Sequence, residues 1–235
     1  MRDFLSLFIP VLFLLLTPLA TAAQPSDSSA TISDAFQPQF TPPPPGTYTL
    51  PAINTVSDHV LLNTNGKPTR LFTLTEGKIT VISFMYTSCA DVGGCPLAAA
   101  VLCQLDHLLN QRPETAQQVI LLSVSFDPER DTPTRMAETR EHLRPQTSWH
   151  FLTTATAEQL QPILTDFNQP IAKLTKESGE WSGLFRHVLK VYLIDQRHNV
   201  RNIYSTGLFS AQLVLNDIET ILLEKKSLSP TSGQE

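Results

Sequence analysis

The chain lacks a basic excess: 17 lysines and arginines stand against 22 aspartates and glutamates, a net charge of −5. That balance supplies no electrostatic footprint for nucleic acid. No internal repeat is visible, which excludes solenoid and propeller architectures. Beyond the N-terminal segment no apolar run is long enough to span a bilayer. Cysteine is scarce too, with three in 235 residues. The odd number leaves at least one thiol without an intrachain partner.

What is present begins with a segment that reads as a secretory signal over residues 1–23. Arg2 gives the positive start, Phe4 to Leu16 the apolar core, and Ala20-Thr21-Ala22 a small-x-small cleavage pattern. The apolar run is shorter than the roughly 20 residues a membrane span needs, which favours cleavage over a retained anchor. No cysteine lies near this segment, which argues against a lipid anchor through one. Residues 24–47 are rich in Ser, Thr, Gln and Pro and end in TPPPPG. Such a stretch buries too little apolar surface to order itself, so it reads as a linker and possible membrane tether. A folded domain is expected over 48–226, followed by a disordered tail over 227–235.

Within the domain, Val60–Leu62 and Arg70–Phe72 flank a turn signal and predict a hairpin. Ile79 to Tyr86 and Val119 to Phe126 are near-continuous apolar, β-branched and aromatic runs, as buried strands require. Trp149 to Thr153, Val188 to Ile194 and Val200 to Tyr204 are further strand candidates. Leu97, Val101, Leu105 and Leu108 form one helical stripe behind Pro96, which suits the first helical position. Thr132-Pro133 opens a second helix, and Thr156 with Gln159 makes a capping box for a third. Val214, Ile218 and Ile221 mark a closing helix. Alternating strands and helices predict an α/β layered fold; the order of elements resembles a thioredoxin-like fold, with a central mixed sheet flanked by helices, an added N-terminal β-hairpin and an insertion before the last hairpin.

The chemistry concentrates in SFMYTSCADVGGCPLAAAVL, where Cys89 and Cys95 occupy a strand-to-helix loop. A thiol pair there can do redox chemistry or hold a soft metal. Export places it in an oxidising compartment, where a plain disulfide is the common alternative. Closing so short a loop removes little chain entropy, so stapling is a poor reason for the pair. Pro96 at a helix start puts Cys95 beside unpaired backbone N–H groups, which is expected to lower its pKa and favour the thiolate. Asp91, between the cysteines, reads as a turn residue bonding its own backbone, and Asp127 as turn chemistry that could also shape the site. Cys103 falls off the apolar stripe near His107 and reads as a small packed residue. His59, His142, His150 and His198 read as surface residues.

The blocks YTSCADVGGCP, SFDPERDTP and HVLKVYLID, matching in order, resemble the Sco/SenC family of exported thioredoxin-like copper chaperones of cytochrome c oxidase assembly. The resemblance runs from about Tyr48 to Leu223. It implies a copper ion, Cu(I) or Cu(II), held by Cys89, Cys95 and His187. It implies delivery by ligand exchange to a copper-receiving oxidase subunit or another copper chaperone, at the periplasmic or outer face of the inner membrane. Thiolates suit Cu(I), and imidazole adds a nitrogen that Cu(II) also accepts. His187 is expected at the edge of a loop that begins near Asn168. The family's usual spacing has three residues between the cysteines and a proline after the first; here five intervene and Ala90 takes the proline's place. The Gly93-Gly94 pair is expected to let the longer loop fold back. Three other functions compete: a thiol–disulfide oxidoreductase using the redox pair Cys89 and Cys95, a thiol peroxidase, and a binding module with a plain staple.

Overall fold

The structure, a computed structural model, describes residues 40–228, with side chains to 225. The signal segment, most of the linker and the end of the tail lie outside the described residues. Among the described residues ten strands and six helices follow in chain order: β1 (Asn54–Thr55), β2 (Val60–Leu62), β3 (Pro68–Arg70), α1 (Leu71–Thr75), β4 (Ile79–Met85), α2 (Cys95–Asn110), α3 (Pro113–Ala116), β5 (Val119–Ser125), α4 (Pro133–Leu143), β6 (Trp149–Leu152), α5 (Ala157–Asp166), β7 (Ile171–Thr175), β8 (Trp181–His187), β9 (Val191–Ile194), β10 (Asn199–Tyr204) and α6 (Ala211–Leu228).

The central sheet runs β1-β10-β9-β4-β5-β6. β4, β5 and β6 are parallel, and β9 joins β4 antiparallel, so the sheet is mixed. β4 and β5 hold the middle because their side chains are apolar or small on both faces, as burial between two helical layers demands. One face packs α2, α4 and α6 through Leu97, Leu105, Met136, Val214 and Ile218. The other packs α5 and the N-terminal elements through Leu61, Leu71, Leu160, Ile163 and Phe167.

The sequence signals hold at the caps. The Thr132 hydroxyl accepts from the Arg135 N–H and Thr156 from the Gln159 N–H. The Gln159 side chain reaches back, one residue beyond the usual capping box, to the Ala155 N–H. The expected hairpin forms from β2 and β3, but its second strand ends at Arg70 and Leu71-Phe72 turn into α1. It joins the sheet end through Leu62 and Thr153, each donating its N–H to the other's carbonyl.

Two expectations change. The stretch after Asn168, read as a loop, is a β-ribbon of β7 and β8 that pairs only with itself. The strand expected from Val188 begins at Val191, and His187 closes β8 instead. At the N-terminal edge, residues 43–48 lie along α6. Asn216 donates to the Pro43 carbonyl, Gly46 N–H donates to the Thr220 hydroxyl, and Tyr48 and Tyr204 both donate to Asp217.

Candidate metal centre

The cysteine loop leaves the C-terminal end of β4, the strand flanked on both sides in mid-sheet. Its base is fixed by Asp131, a fully buried carboxylate. Asp131 accepts from the Thr87 N–H at 2.9 Å, the Thr87 hydroxyl and the Ser125 hydroxyl at 2.6 Å. The loop folds back over Asp91, whose carbonyl accepts from Gly94 N–H and whose carboxylate accepts from Gly93 N–H. Asp91 is therefore a turn residue, as its sequence context suggests.

Gly94 precedes α2, and a Cβ there would lie 3.2 Å from the Asp91 carboxylate and 3.4 Å from Cε1 of His187. Absence of a side chain at that position lets the imidazole reach the loop. The Cys89 and Cys95 sulfurs and a His187 ring nitrogen then lie within 4.8 Å of one another. Nε2 of His187 stands 3.9 Å from the Cys89 sulfur. All three cysteines are free thiols. The imidazole is framed by Phe126 and Tyr86, with ring centroids at 5.1 and 5.9 Å.

The acid–base expectation for Cys95 reverses. Cys89, half-exposed, is held down to about 3, first by the Cys95 thiol donating to it, against the opposing effect of burial, and then by His187. Cys95 is pushed well above the usual thiol range, as donor in that same bond and by its burial. The helix N-terminus does favour an anion. Nonetheless one proton is shared between two sulfurs, and it stays on the one that water reaches least. Burial, with the Cys89 charge adding to it, pushes the Tyr86 hydroxyl up to about 12.

A cavity of about 460 Å³ opens beside the thiols between α2 and α4, lined by Met85, Cys89, Cys95, Ala99, Arg135 and Trp149. Cys103 is half-buried in a separate groove with Phe40, Pro42 and His107, and burial pushes its thiol up. Among the described residues, Cys89, Cys95 and His187 form the one cluster with three groups able to hold a metal ion.

Of the histidines expected on the surface, only His142 is exposed. His59 bonds Asp166 at 2.9 Å, His198 stacks on Phe72 at 3.6 Å, and His150 is half-buried with its pKa lowered by burial. The partners of His59 and His198 come from distant segments, which local sequence context does not reveal. Asp127 forms the turn that its position suggests, its carbonyl accepting from Arg130 and Asp131. It also ion-pairs with Arg130. Asp131, Arg130 and Trp181 escaped the sequence reading as site residues, although the first two lie in the SFDPERDTP block.

A mixed sheet between helical layers, with a thiol pair where its central strand passes into a helix, defines a thioredoxin-like domain with a soft-donor site. The chain belongs to the SCO1/SenC family, whose family model matches residues 48–223. An SCO2-like protein of Rickettsia felis is 26% identical over 141 residues, 59% of this chain and 63% of that protein. The chain thus spans less than two thirds of the length of these curated relatives. Among solved structures, a SCO1/SenC family lipoprotein from Bacillus anthracis superposes with a TM-score of 0.62 at 24% identity, over 74% of this chain and 99% of that one. Arabidopsis thaliana ScoI with copper bound gives 0.61 at 20% identity, over 72% and 99%.

Proposed function

We propose that this protein binds a copper ion through Cys89, Cys95 and His187 and hands it to a copper-receiving oxidase subunit, that of cytochrome c oxidase, by ligand exchange. The observation that carries the reading is the approach of two sulfurs and one imidazole nitrogen to within 4.8 Å of one another. Bound copper in a solved relative of the same fold supports it. Two thiolates and an imidazole match both Cu(I) and Cu(II), so one donor set can hold copper in either state. The two sulfurs would anchor the ion, and the imidazole at the end of its ribbon would be the ligand exchanged first. The neighbouring cavity would admit an incoming donor from the partner. Export and attachment outside the inner membrane fit the N-terminal segment, and one solved relative is a lipoprotein.

The test is X-ray absorption on the reduced, copper-loaded protein. Two sulfur neighbours and one nitrogen are expected, with the nitrogen lost in His187→Ala. Equal copper retention by wild type and His187→Ala would make the ligand set wrong.

A second reading, thiol–disulfide oxidoreductase, is favoured by a half-exposed Cys89 thiolate beside a protonated Cys95. The Cys89 sulfur would attack a partner disulfide and release one partner sulfur as thiolate. Cys95 would then displace the other, leaving a Cys89–Cys95 disulfide and two reduced partner thiols. A reduction potential below about −300 mV would mark a structural bridge and count against this role.

A further inference from the structure

Loop 127–131, between β5 and α4, touches both arms of the metal centre. On the cysteine arm, Asp131 accepts from Thr87 and Ser125. On the histidine arm, Arg130 meets the ribbon. Its guanidinium lies 4.4 Å from the Trp181 ring centroid and 5.8 Å from those of Phe185 and Tyr86. These are cation–π distances. Asp127 pairs with Arg130 from below. Nη2 of Arg130 is buried with no hydrogen-bond partner among the described residues. A buried donor left unpaired is costly, and here aromatic faces stand where acceptors would.

The ribbon is built to be held this way. Side chains alternate along a strand, so Phe185 and His187 share one face of β8, and across the irregularity between Trp181 and Phe185 the Trp181 ring still meets that of Phe185 at 5.3 Å. Trp181 and Phe185 contact Arg130, while His187 faces Cys89. Gly183, at φ +85°, brings the backbone so close that a Cβ there would stand 3.5 Å from Nη1 of Arg130. Phe185 also touches Tyr86 and Phe126, the two rings that frame His187. β7 and β8 share no ladder with the main sheet, so side-chain contacts carry much of the work of fixing the imidazole.

We propose that Arg130 and Trp181 form a cation–aromatic clasp that positions His187 against the two thiols, with loop 127–131 as the common frame of both arms. Arg130 and Trp181 are positioning residues; neither touches the ion. The proposal rests on the copper reading for its consequence, since the clasp sets how firmly the third ligand is retained. The clasp itself is testable without metal.

The test uses the full chain with Arg130→Gln, Trp181→Ala and Trp181→Phe. In the metal-free protein, Phe126 and Tyr86 shift the His187 ring protons. Arg130→Gln and Trp181→Ala are expected to collapse those shifts while the amide spectrum of β4 and β5 stays in place. In the copper-loaded protein both variants are expected to keep two sulfur neighbours, lose the nitrogen and bind copper about tenfold more weakly. Trp181→Phe, which keeps an aromatic face, is expected to restore most of each signal. Unchanged His187 shifts and an unchanged nitrogen neighbour in both disruptive variants overturn the clasp. Wild-type copper without a nitrogen neighbour, alongside His187 shifts that still depend on Arg130, would defeat the copper reading and leave the clasp standing. If Arg130→Gln loses the β4 and β5 pattern, Trp181→Ala on the ribbon decides.

Discussion

Cys89 and Cys95 ride on the central sheet, whereas His187 rides on a ribbon that pairs with nothing but itself. The cysteine loop inherits the order of β4, which is laddered to β5 on one side and β9 on the other. The imidazole depends on the ladder of β8 with β7, on the Gln169 amide that donates to the Val188 carbonyl, and on Arg130, Phe185 and the neighbouring rings. A site divided in this way takes two donors from the end of a central strand and the third from outside the sheet. On the proposed copper-transfer reading, that division would place the release step on the element outside the central sheet.

The cysteine arm breaks most sharply at Asp131. Its carboxylate is fully buried and accepts from two hydroxyls and one N–H. Asp131→Ala strands those donors and is expected to cost about 2–4 kcal/mol in global stability. Urea unfolding should show a lower midpoint with little change in slope. A midpoint within error of wild type would mean that the frame is held elsewhere.

Phe185→Ala is the matching cut on the histidine arm, and the comparison forecasts a different kind of loss. Removing a buried phenyl costs about 3 kcal/mol or more, but here the loss should fall on the ribbon. Exchange of the Lys173 and Phe185 amides, which lie opposite one another in the ribbon, is expected to speed up about tenfold or more while β4 amides stay protected. Uniform loss of protection across both regions would show that ribbon and sheet unfold as one.

How much of this division the sequence disclosed follows from the range of the forces involved. The two buried strands and the Thr132 and Thr156 caps are local signals of composition and end chemistry, and the structure has them; His187 carries no local signal and enters only through the family resemblance, and the fold brings its ring nitrogen within 4.8 Å of the two sulfurs. The ribbon was not legible, because Ala172, Lys173, Leu184 and Arg186 leave much of it exposed and no apolar run marks it. Arg130 over Trp181 joins residues about fifty positions apart, and no local pattern encodes that pairing. The Cys95 thiolate expectation failed for a related reason. Helix position is visible in sequence, but depth of burial and a shared proton are properties of the folded loop.

That reversal gives a prediction within the cysteine arm itself. With the Cys89 pKa lowered, its thiolate persists at every pH above the depressed value, so reactivity should not fall away as pH drops from 8 to 5. In the reduced, metal-free protein, iodoacetamide is expected to modify Cys89 at least about tenfold faster than Cys95, at a rate nearly flat over that range. Mass spectrometry of timed digests reads both sites. Preferential labelling of Cys95, or a rate for Cys89 that rises steeply near pH 8.5, would restore the helix-terminus expectation.

The smallest effect is expected from the ion pair beside the clasp. Lys173 and Glu129 meet at 3.1 Å, but their side chains are 46% and 55% exposed. Water and salt screen such a pair, so Glu129→Gln should change stability by less than about 0.5 kcal/mol, about 1–2 °C in melting temperature for a domain of this size. Lys173 also lies 4.5 Å from the Trp181 ring centroid, a contact that Glu129→Gln leaves intact. The His187 ring shifts should therefore hold in Glu129→Gln even though they collapse in Arg130→Gln. Collapse in both would mean that the whole charged rim, rather than the Arg130 guanidinium on its aromatic faces, keeps the imidazole in reach of the thiols.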